Sequence, residues 1–451
     1  MLQNILVFHQ KLLNLLIFVL HYDRMLYMIK HIKKSEKGLR GEIVIPADKS
    51  ISHRAIMFSS IAKGNSIIKN FSSGADCHST LNLFKQLGVN IEFLDNKTIK
   101  INSRGMLKKS DLPLNCGNSG TTMRLVSGIL AGQDFNSVLV GDESLSKRPM
   151  KRIIEPLSLM GAEIKSVEGY APLKIYGRKL QGIEYNSKLS SAQVKSCVLL
   201  AGLKANSKTI YTEPFLSRNH TELLLKYLGA DISTNKNAVT LCPSEIEAKN
   251  VEIVGDISSA AFFIVAGLII PNSEIIIKNV GINPTRSGII DIVKRMGGNI
   301  EILNHSIVSG EECGDILVKY TENLKSCIIE GQDIPRLIDE LPVIAVLASQ
   351  AGGTTIVKNA EDLRNKEADR IKCLVNELSK IGVDIDEAQD GFIINGKTKL
   401  EGNAELEVYH DHRLAMSFYV AGLVCEKEIA INDFEWTNIS FPEFEELMLM
   451  L

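Results

Sequence analysis

The sequence predicts an α/β protein of six repeated units, three to a lobe, with helices buried at the centre of each lobe. Three observations support this: a strand-forming motif that recurs six times, helix-like runs with no polar face, and a glycine that closes a second helix in five of the units. At 451 residues the chain is also too long for one hydrophobic core.

In the recurring motif a helix-like run ends in small residues, turns, and continues as a β-branched strand. The copies are SIAKGNSIIKN (60–70), ILAGQDFNSVLV (129–140), LLAGLKANSKTIYTE (199–213), AGLIIPNSEIIIKN (266–279), SQAGGTTIVKNA (349–360) and AGLVCEKEIAINDF (421–434), with Gly64, Gly132, Gly202, Gly267, Gly352 and Gly422 at matching points. Between them an amphipathic helix ends in glycine and a strand follows: FKQLGVNIEF, LSLMGAEIKS, LKYLGADIST, VKRMGGNIEI and LSKIGVDIDE. Gly88, Gly161, Gly229, Gly297 and Gly382 fall where a helix end calls for a left-handed residue, and the sixth copy stops at FEELMLML. Each unit therefore reads strand, helix, strand, helix, and one or two more strands. Runs such as AAFFIVAGLII are apolar on every side, so these helices belong in the interior. Counting repeats places the lobe boundary near Val254, after the third unit.

Bulk composition excludes several function classes. A net charge of -2 supplies no general positive field for nucleic acid or anionic membrane. The eight cysteines form no CxxC pair and show no zinc spacing, so reduced thiols in a cytoplasmic protein are expected, with no metal or cofactor. The apolar run at 12–20 is shorter than the roughly 20 residues of a membrane-spanning helix, so residues 1–27 read as a dispensable N-terminal extension.

Chemistry-bearing residues gather just ahead of the buried helices, in DKSISHR (48–54), NSGTTMR (118–124), SSAQVKS (190–196), GDISSAAF (255–262), IDELP (338–342) and HDHRLAMS (410–417). Helix capping accounts for the Ser, Thr, Asp and Asn of each motif. It does not call for Lys49, Arg54, Arg124, Lys195 or Arg413 beside the caps. Helix N-termini carry partial positive charge and free N–H groups, so several of them with added cations describe a site for multiply charged anions. Other readings stay open at single positions. Asp339 reads equally as a cap before Pro342, Lys366 and Glu367 as a solvated face, and His410 with His412 as half of a metal site.

Taken in order, GLRGEIVIPADKSISHR, GNSGTTMR, GDESLSKRPM, SSAQVKS, IDELPVIAVLA, NKEADR and HDHRLAMSF resemble the 5-enolpyruvylshikimate-3-phosphate synthase family, over residues 38–444. The resemblance implies a two-lobed enolpyruvyl-transferase-like fold of six βαβαββ repeats with the active site in the interlobe cleft. One lobe would span 48–254 on the shikimate 3-phosphate side. The other would combine 28–47 with 255–451 on the phosphoenolpyruvate side.

It further implies that Lys49, Ser50, Arg54, Ser191, Ala192, Gln193, Arg218, Asp339 and Lys366 bind shikimate 3-phosphate. Lys49, Gly120, Arg148, Gln193, Arg370 and Arg413 would contact phosphoenolpyruvate. The implied reaction moves the enolpyruvyl group to the 5-hydroxyl through a tetrahedral intermediate. Asp339 would act as base, and Glu367 and Lys49 would share proton delivery. Arg148, Arg370 and Arg413 supply charge without a metal. SAQVK, RNHTE and Asn279 followed by Thr285-Arg286 resemble the branch that holds glyphosate-tolerant members. Gly120 nevertheless lacks the methyl that crowds the inhibitor in tolerant relatives, and Ile439 stands where some members carry Lys.

Two alternatives predict features that the sequence lacks. The sister UDP-N-acetylglucosamine 1-carboxyvinyltransferase usually has a reactive cysteine in the loop here reading GDESLSKRPM. A nucleic-acid-binding βαβαββ repeat protein predicts a basic face and stacking aromatics, against -2 and 6%. The expected assembly is a monomer with two small-molecule substrates.

Overall fold

The computed structural model describes residues 29–451. The expected N-terminal extension, 1–27, lies outside the described residues. Six helices form the interior: Lys49–Ile61, Gly120–Ala131 and Ala192–Gly202 in one lobe, and Ile257–Ile269, Leu341–Ser349 and His412–Gly422 in the other. We call these the first to sixth core helices. Their side chains are buried on nearly every face, as the unbroken apolar runs require. Gly128 lets the second and third approach closely, since a Cβ there would lie 2.1 Å from the Cys197 carbonyl oxygen.

Five of these helices begin with a side-chain cap. Asp48, Ser119, Ser191, Asp256 and Asp411 accept hydrogen bonds from the backbone N–H groups of Ile51, Thr122, Val194, Ser258 and Arg413. The fifth differs. Glu340 occupies its cap position without a capping bond, and Pro342 opens the first turn, so Asp339 is free for other partners.

After each core helix the chain returns as a strand with one parallel and one antiparallel neighbour; in the second, third, fifth and sixth units the parallel neighbour is the strand before that helix, whereas the first and fourth units exchange those strands. Five sheets share this four-strand order, and the sixth has three strands. Gly88, Gly161, Gly229, Gly297 and Gly382 all have φ between +76° and +97°, as the helix-closing position demands. The first glycine series is less regular. Gly64 lies in a strand and Gly267 inside the fourth core helix, where Ile275 and Val318 press on it.

The chain crosses between the lobes twice. Arg40–Val44 pairs with Glu274–Gly281, while Val251–Glu252 pairs with Lys63–Lys69. One hydrophobic core accordingly joins Ile32, Leu39, Ile43 and Ile45 to side chains from Ile257 to Met448. The other runs from Ala47 to Val254 and takes in Cys313. Among the described residues no helix is long and apolar enough to cross a membrane.

One cation read from the sequence as part of the anion site is not there. Lys195 points into its own lobe, wholly buried, with Nζ 2.8 Å from both Glu213 and Glu222 and a hydrogen bond of 3.0 Å to the Ser217 carbonyl. Its helical phase turns it towards these carboxylates and away from the cleft. Replacing it with an uncharged residue strands two buried acids. Lys195→Met should therefore cost about 3–5 kcal/mol of stability, measured by denaturant unfolding.

Candidate active site

The start of every core helix faces one cavity of about 390 Å³ between the lobes. Its walls include Lys49 and Ser50, Gly120 and Thr121, Ser191 to Gln193, Asp256, Asp339, and His412 with Arg413, from the first to the sixth helix in turn. Eleven Lys and Arg side chains line it against six Asp and Glu, in a chain whose net charge is negative. Helix dipoles add to this excess, so the cavity is built for anions. Every residue expected to bind substrate or act in catalysis lines it, and of the cations beside the caps only Lys195 does not.

On the first lobe, Lys49 Nζ lies 3.4 Å from Asp76, and its backbone N–H donates to Asp256 of the other lobe at 3.3 Å. Burial lowers the Lys49 pKa, but Asp76 and Glu367 outweigh it and the ammonium is held above its ordinary value. Arg54 is fixed by Thr221 Oγ1 at 2.8 Å, Ser196 Oγ at 2.9 Å and the Ser50 carbonyl at 2.9 Å. Gln193 accepts from Arg124 at 2.6 Å and donates to Thr121 at 3.1 Å. Arg148 donates to Asn118 at 2.8 Å and reaches across to Glu367 at 3.7 Å. A methyl on Gly120 would stand 2.9 Å from Arg124 Nη1 and 3.7 Å from Arg148 Nη1.

On the second lobe, Asp339 is the centre. It pairs with Arg218 from the first lobe, with Lys366 at 3.3 Å and with Arg370 at 3.6 Å, while Arg413 donates to its carbonyl at 3.2 Å. Burial pushes the Asp339 carboxyl up, but Lys366, Arg218, Arg413 and Arg286 together hold it well below the usual carboxylate range. Arg370 is clamped by Asp411 at 2.7 and 3.2 Å and by Glu367 at 2.7 Å. Glu367 is likewise depressed, with burial opposed by Arg370, His412, Arg148 and Lys366. His412, buried beside Lys49 and Arg413, is held neutral.

Several cavity residues went unassigned in the sequence. Arg124 carried a signal as a cation next to a cap, and Arg286 as part of Thr285-Arg286. Asp256 carried only a helix-cap signal, Asp76 and Arg152 were not singled out, and their partners Arg286, Lys49 and Asp362 are distant in the chain. The two histidines do not form a pair. His410 packs on Trp436 with ring centroids 4.7 Å apart, while His412 faces the cavity. Among the described residues no group of three or more His, Cys, Asp or Glu is placed to hold a metal ion.

The depressed Glu367 carboxyl has a measurable consequence. A group whose folded pKa is lowered contributes stability above its unfolded pKa and loses that contribution as pH falls through the folded value. Glu367→Gln should destabilise the protein at pH 7. The difference from wild type should shrink as pH falls below about 4, near the unfolded carboxyl pKa, in urea unfolding run across that range.

Comparison with known proteins agrees with this geometry. The sequence model of the family described as EPSP synthase (3-phosphoshikimate 1-carboxyvinyltransferase) matches residues 33–448. A 3-phosphoshikimate 1-carboxyvinyltransferase from Thermoanaerobacter sp. (strain X514) is 51% identical over 421 residues, covering 93% of this chain and 99% of the relative. EPSP synthase from Acinetobacter baumannii superposes with a TM-score of 0.85 at 42% identity, over 94% of this chain and 98% of that one. The enolpyruvyl transferase NikO from Streptomyces tendae shares the fold, with a TM-score of 0.77 at 16% identity over 94% and 97% of the two chains. With nearly its whole length matched in this way, the chain belongs to the EPSP synthase family.

Proposed function

We propose that the protein transfers the enolpyruvyl group of phosphoenolpyruvate to the 5-hydroxyl of shikimate 3-phosphate and releases phosphate. The observation that carries this reading is Asp339, a carboxylate held ionised by cations from both lobes at the centre of an anion-binding cleft. Residues 48–254 would form the shikimate 3-phosphate lobe, and 28–47 with 255–451 the phosphoenolpyruvate lobe. Lys49, Ser50, Arg54, Ser191, Ala192, Gln193, Arg218 and Lys366 would receive shikimate 3-phosphate, its phosphate seated on the N-terminus of the third core helix. Gly120, Arg148, Gln193, Arg370 and Arg413 would hold phosphoenolpyruvate, the guanidinium groups gripping its oxygens in pairs.

In this reading Asp339 removes the hydroxyl proton as the oxygen attacks C2 of phosphoenolpyruvate, while C3 gains a proton. The charges around them favour the protonated form of Lys49 and the ionised form of Glu367. Anionic substrates weaken the cations' hold on Glu367, so the two groups share proton delivery. Collapse of the tetrahedral intermediate then breaks the C2–O bond to phosphate as C3 returns a proton to the group that delivered it, restoring the vinyl double bond, with fixed positive charge stabilising the departing dianion. All eight cysteines are free thiols and six are buried, which supports a cytoplasmic protein. We take it to be a monomer that needs no metal or cofactor.

The direct test is phosphate release from phosphoenolpyruvate with and without shikimate 3-phosphate; release that does not depend on shikimate 3-phosphate would overturn the reading. Asp339→Asn should lower turnover by about 10²–10⁴-fold, the usual contribution of a general base, while shikimate 3-phosphate still binds. A second expectation concerns glyphosate, which in this family occupies the phosphoenolpyruvate site. Wild type should be inhibited in competition with phosphoenolpyruvate. The Gly120→Ala methyl, meeting Arg124 at 2.9 Å, should raise the inhibition constant. Crowding a tight site by one carbon costs roughly 1–3 kcal/mol, or about tenfold and more in affinity.

A further inference from the structure

The motif containing Arg218 does more than present one arginine to the cleft. Asn219, the next residue, crosses the lobe boundary. Its backbone N–H donates to Thr285 Oγ1 at 3.1 Å, and its Oδ1 accepts from Thr285 Oγ1 at 3.0 Å and from Asn283 at 2.8 Å. Thr285 is followed by Arg286, whose Nη1 donates to both Glu340 oxygens at 3.0 and 3.2 Å. Glu340 is followed back along the chain by Asp339, which pairs with Arg218. Three peptide links and three non-covalent links thus close a ring of six residues, Arg218, Asn219, Thr285, Arg286, Glu340 and Asp339, through both lobes.

The ring is buried where it matters: Thr285, Arg286 and Glu340 are 6%, 3% and 1% exposed. Beneath it, His220 Nδ1 lies 2.8 Å from Glu311, which also accepts from Asn283 at 2.9 Å, so the crossing has a second buried buttress. Because Glu340 spends its carboxylate on Arg286 and caps no helix, the turn carrying Asp339 is anchored by that ion pair.

We propose that Thr285 and Asn219 are positioning residues for the transfer reaction: through Arg286–Glu340 on one side and Arg218 on the other, they set the Asp339 carboxylate in place when the lobes meet. This rests on the function proposed above, in which Asp339 is the base. The hydroxyl of Thr285 touches no substrate-facing surface; it joins the two lobes' contributions to one carboxylate. Loss of that hydroxyl lets the Asp339 turn and Arg218 shift relative to each other, a geometric error that falls on the chemical step and leaves binding groups in place.

The test compares Thr285→Val, which keeps the shape and removes the hydroxyl, with Thr285→Ser, which restores it. Thr285→Val should lower kcat between about tenfold and a hundredfold, as expected for a misplacement on the order of 1 Å, with both KM values within about twofold of wild type. Thr285→Ser should return kcat to near the wild-type value. Combined with Arg218→Gln, the loss should be less than the product of the two single losses, because both act on Asp339. If Thr285→Val does not fold, Asn219→Ala at its partly exposed position loses the Oδ1 bonds of the crossing while keeping its backbone N–H bond to Thr285, and should lower kcat in the same direction with KM little changed. A melting temperature that falls while kcat stays at the wild-type value would overturn the proposal and leave Thr285 a structural residue. So would effects of Thr285→Val and Arg218→Gln that simply multiply. Inactive wild-type protein would instead overturn the function on which the proposal rests.

Discussion

The rest of the structure depends on one electrostatic constraint: six helix N-termini and eleven cationic side chains face a single cavity. Like charges at such density repel, and the fold answers with carboxylates, several of which reach a partner across the cleft. Arg218 meets Asp339, Arg148 meets Glu367 at 3.7 Å, Arg152 meets Asp362 at 3.8 Å, and the Lys49 backbone N–H meets Asp256. Each pair joins one lobe to the other. The cleft is thereby bridged by the same groups that would hold substrate. Under the proposed function a substrate anion would compete with these carboxylates for the same guanidinium groups.

This arrangement follows from the caps. A Ser or Asp at a helix start satisfies one exposed N–H and leaves the others pointing into the cleft. Five units keep that solution. The fifth core helix abandons it, with Pro342 removing one N–H and Glu340 turned to Arg286. That local departure from the repeat is what leaves Asp339 uncommitted to the helix and surrounded by cations. The repeat supplies the frame, and the exception within it supplies the candidate base.

What could be read from the sequence was what is decided locally. Helix-closing glycines and helix caps are set within a few residues, so Gly88 through Gly382 and Asp48 through Asp411 were legible from their own neighbours. The direction of a side chain beyond the cap was not. Lys195 and Arg413 look alike in the sequence, each a cation just after a capped start. Glu213 and Glu222 draw the first into the core, whereas Asp339 and Glu340 draw the second to the cleft. Glu213 and Glu222 lie later in the same unit as Lys195, while Asp339 and Glu340 lie in the unit before Arg413, and spacing along the chain encodes neither contact. The same holds for Asp76 beside Lys49, and for the crossing of Asn219 to Thr285, whose motifs were visible while their contact was not.

Charge balance then bears on how the substrates enter. Eleven cations against six carboxylates leave an excess of five positive charges in the cavity wall. Under the proposed function each substrate brings one carboxylate and one phosphate, and a phosphate monoester carries about -1.5 to -2 near neutral pH. Two such ligands together bring roughly -5 to -6, close to the excess, and one alone leaves half of it uncompensated. The first substrate to bind therefore weakens the repulsion that opposes lobe closure without removing it. The second meets cations whose field is still unbalanced and whose carboxylate partners have already been displaced. In a cavity shielded from water such fields act over short distances with little screening. Full closure is then favoured only with both anions in place, which is also the state in which Asp339 must be aligned.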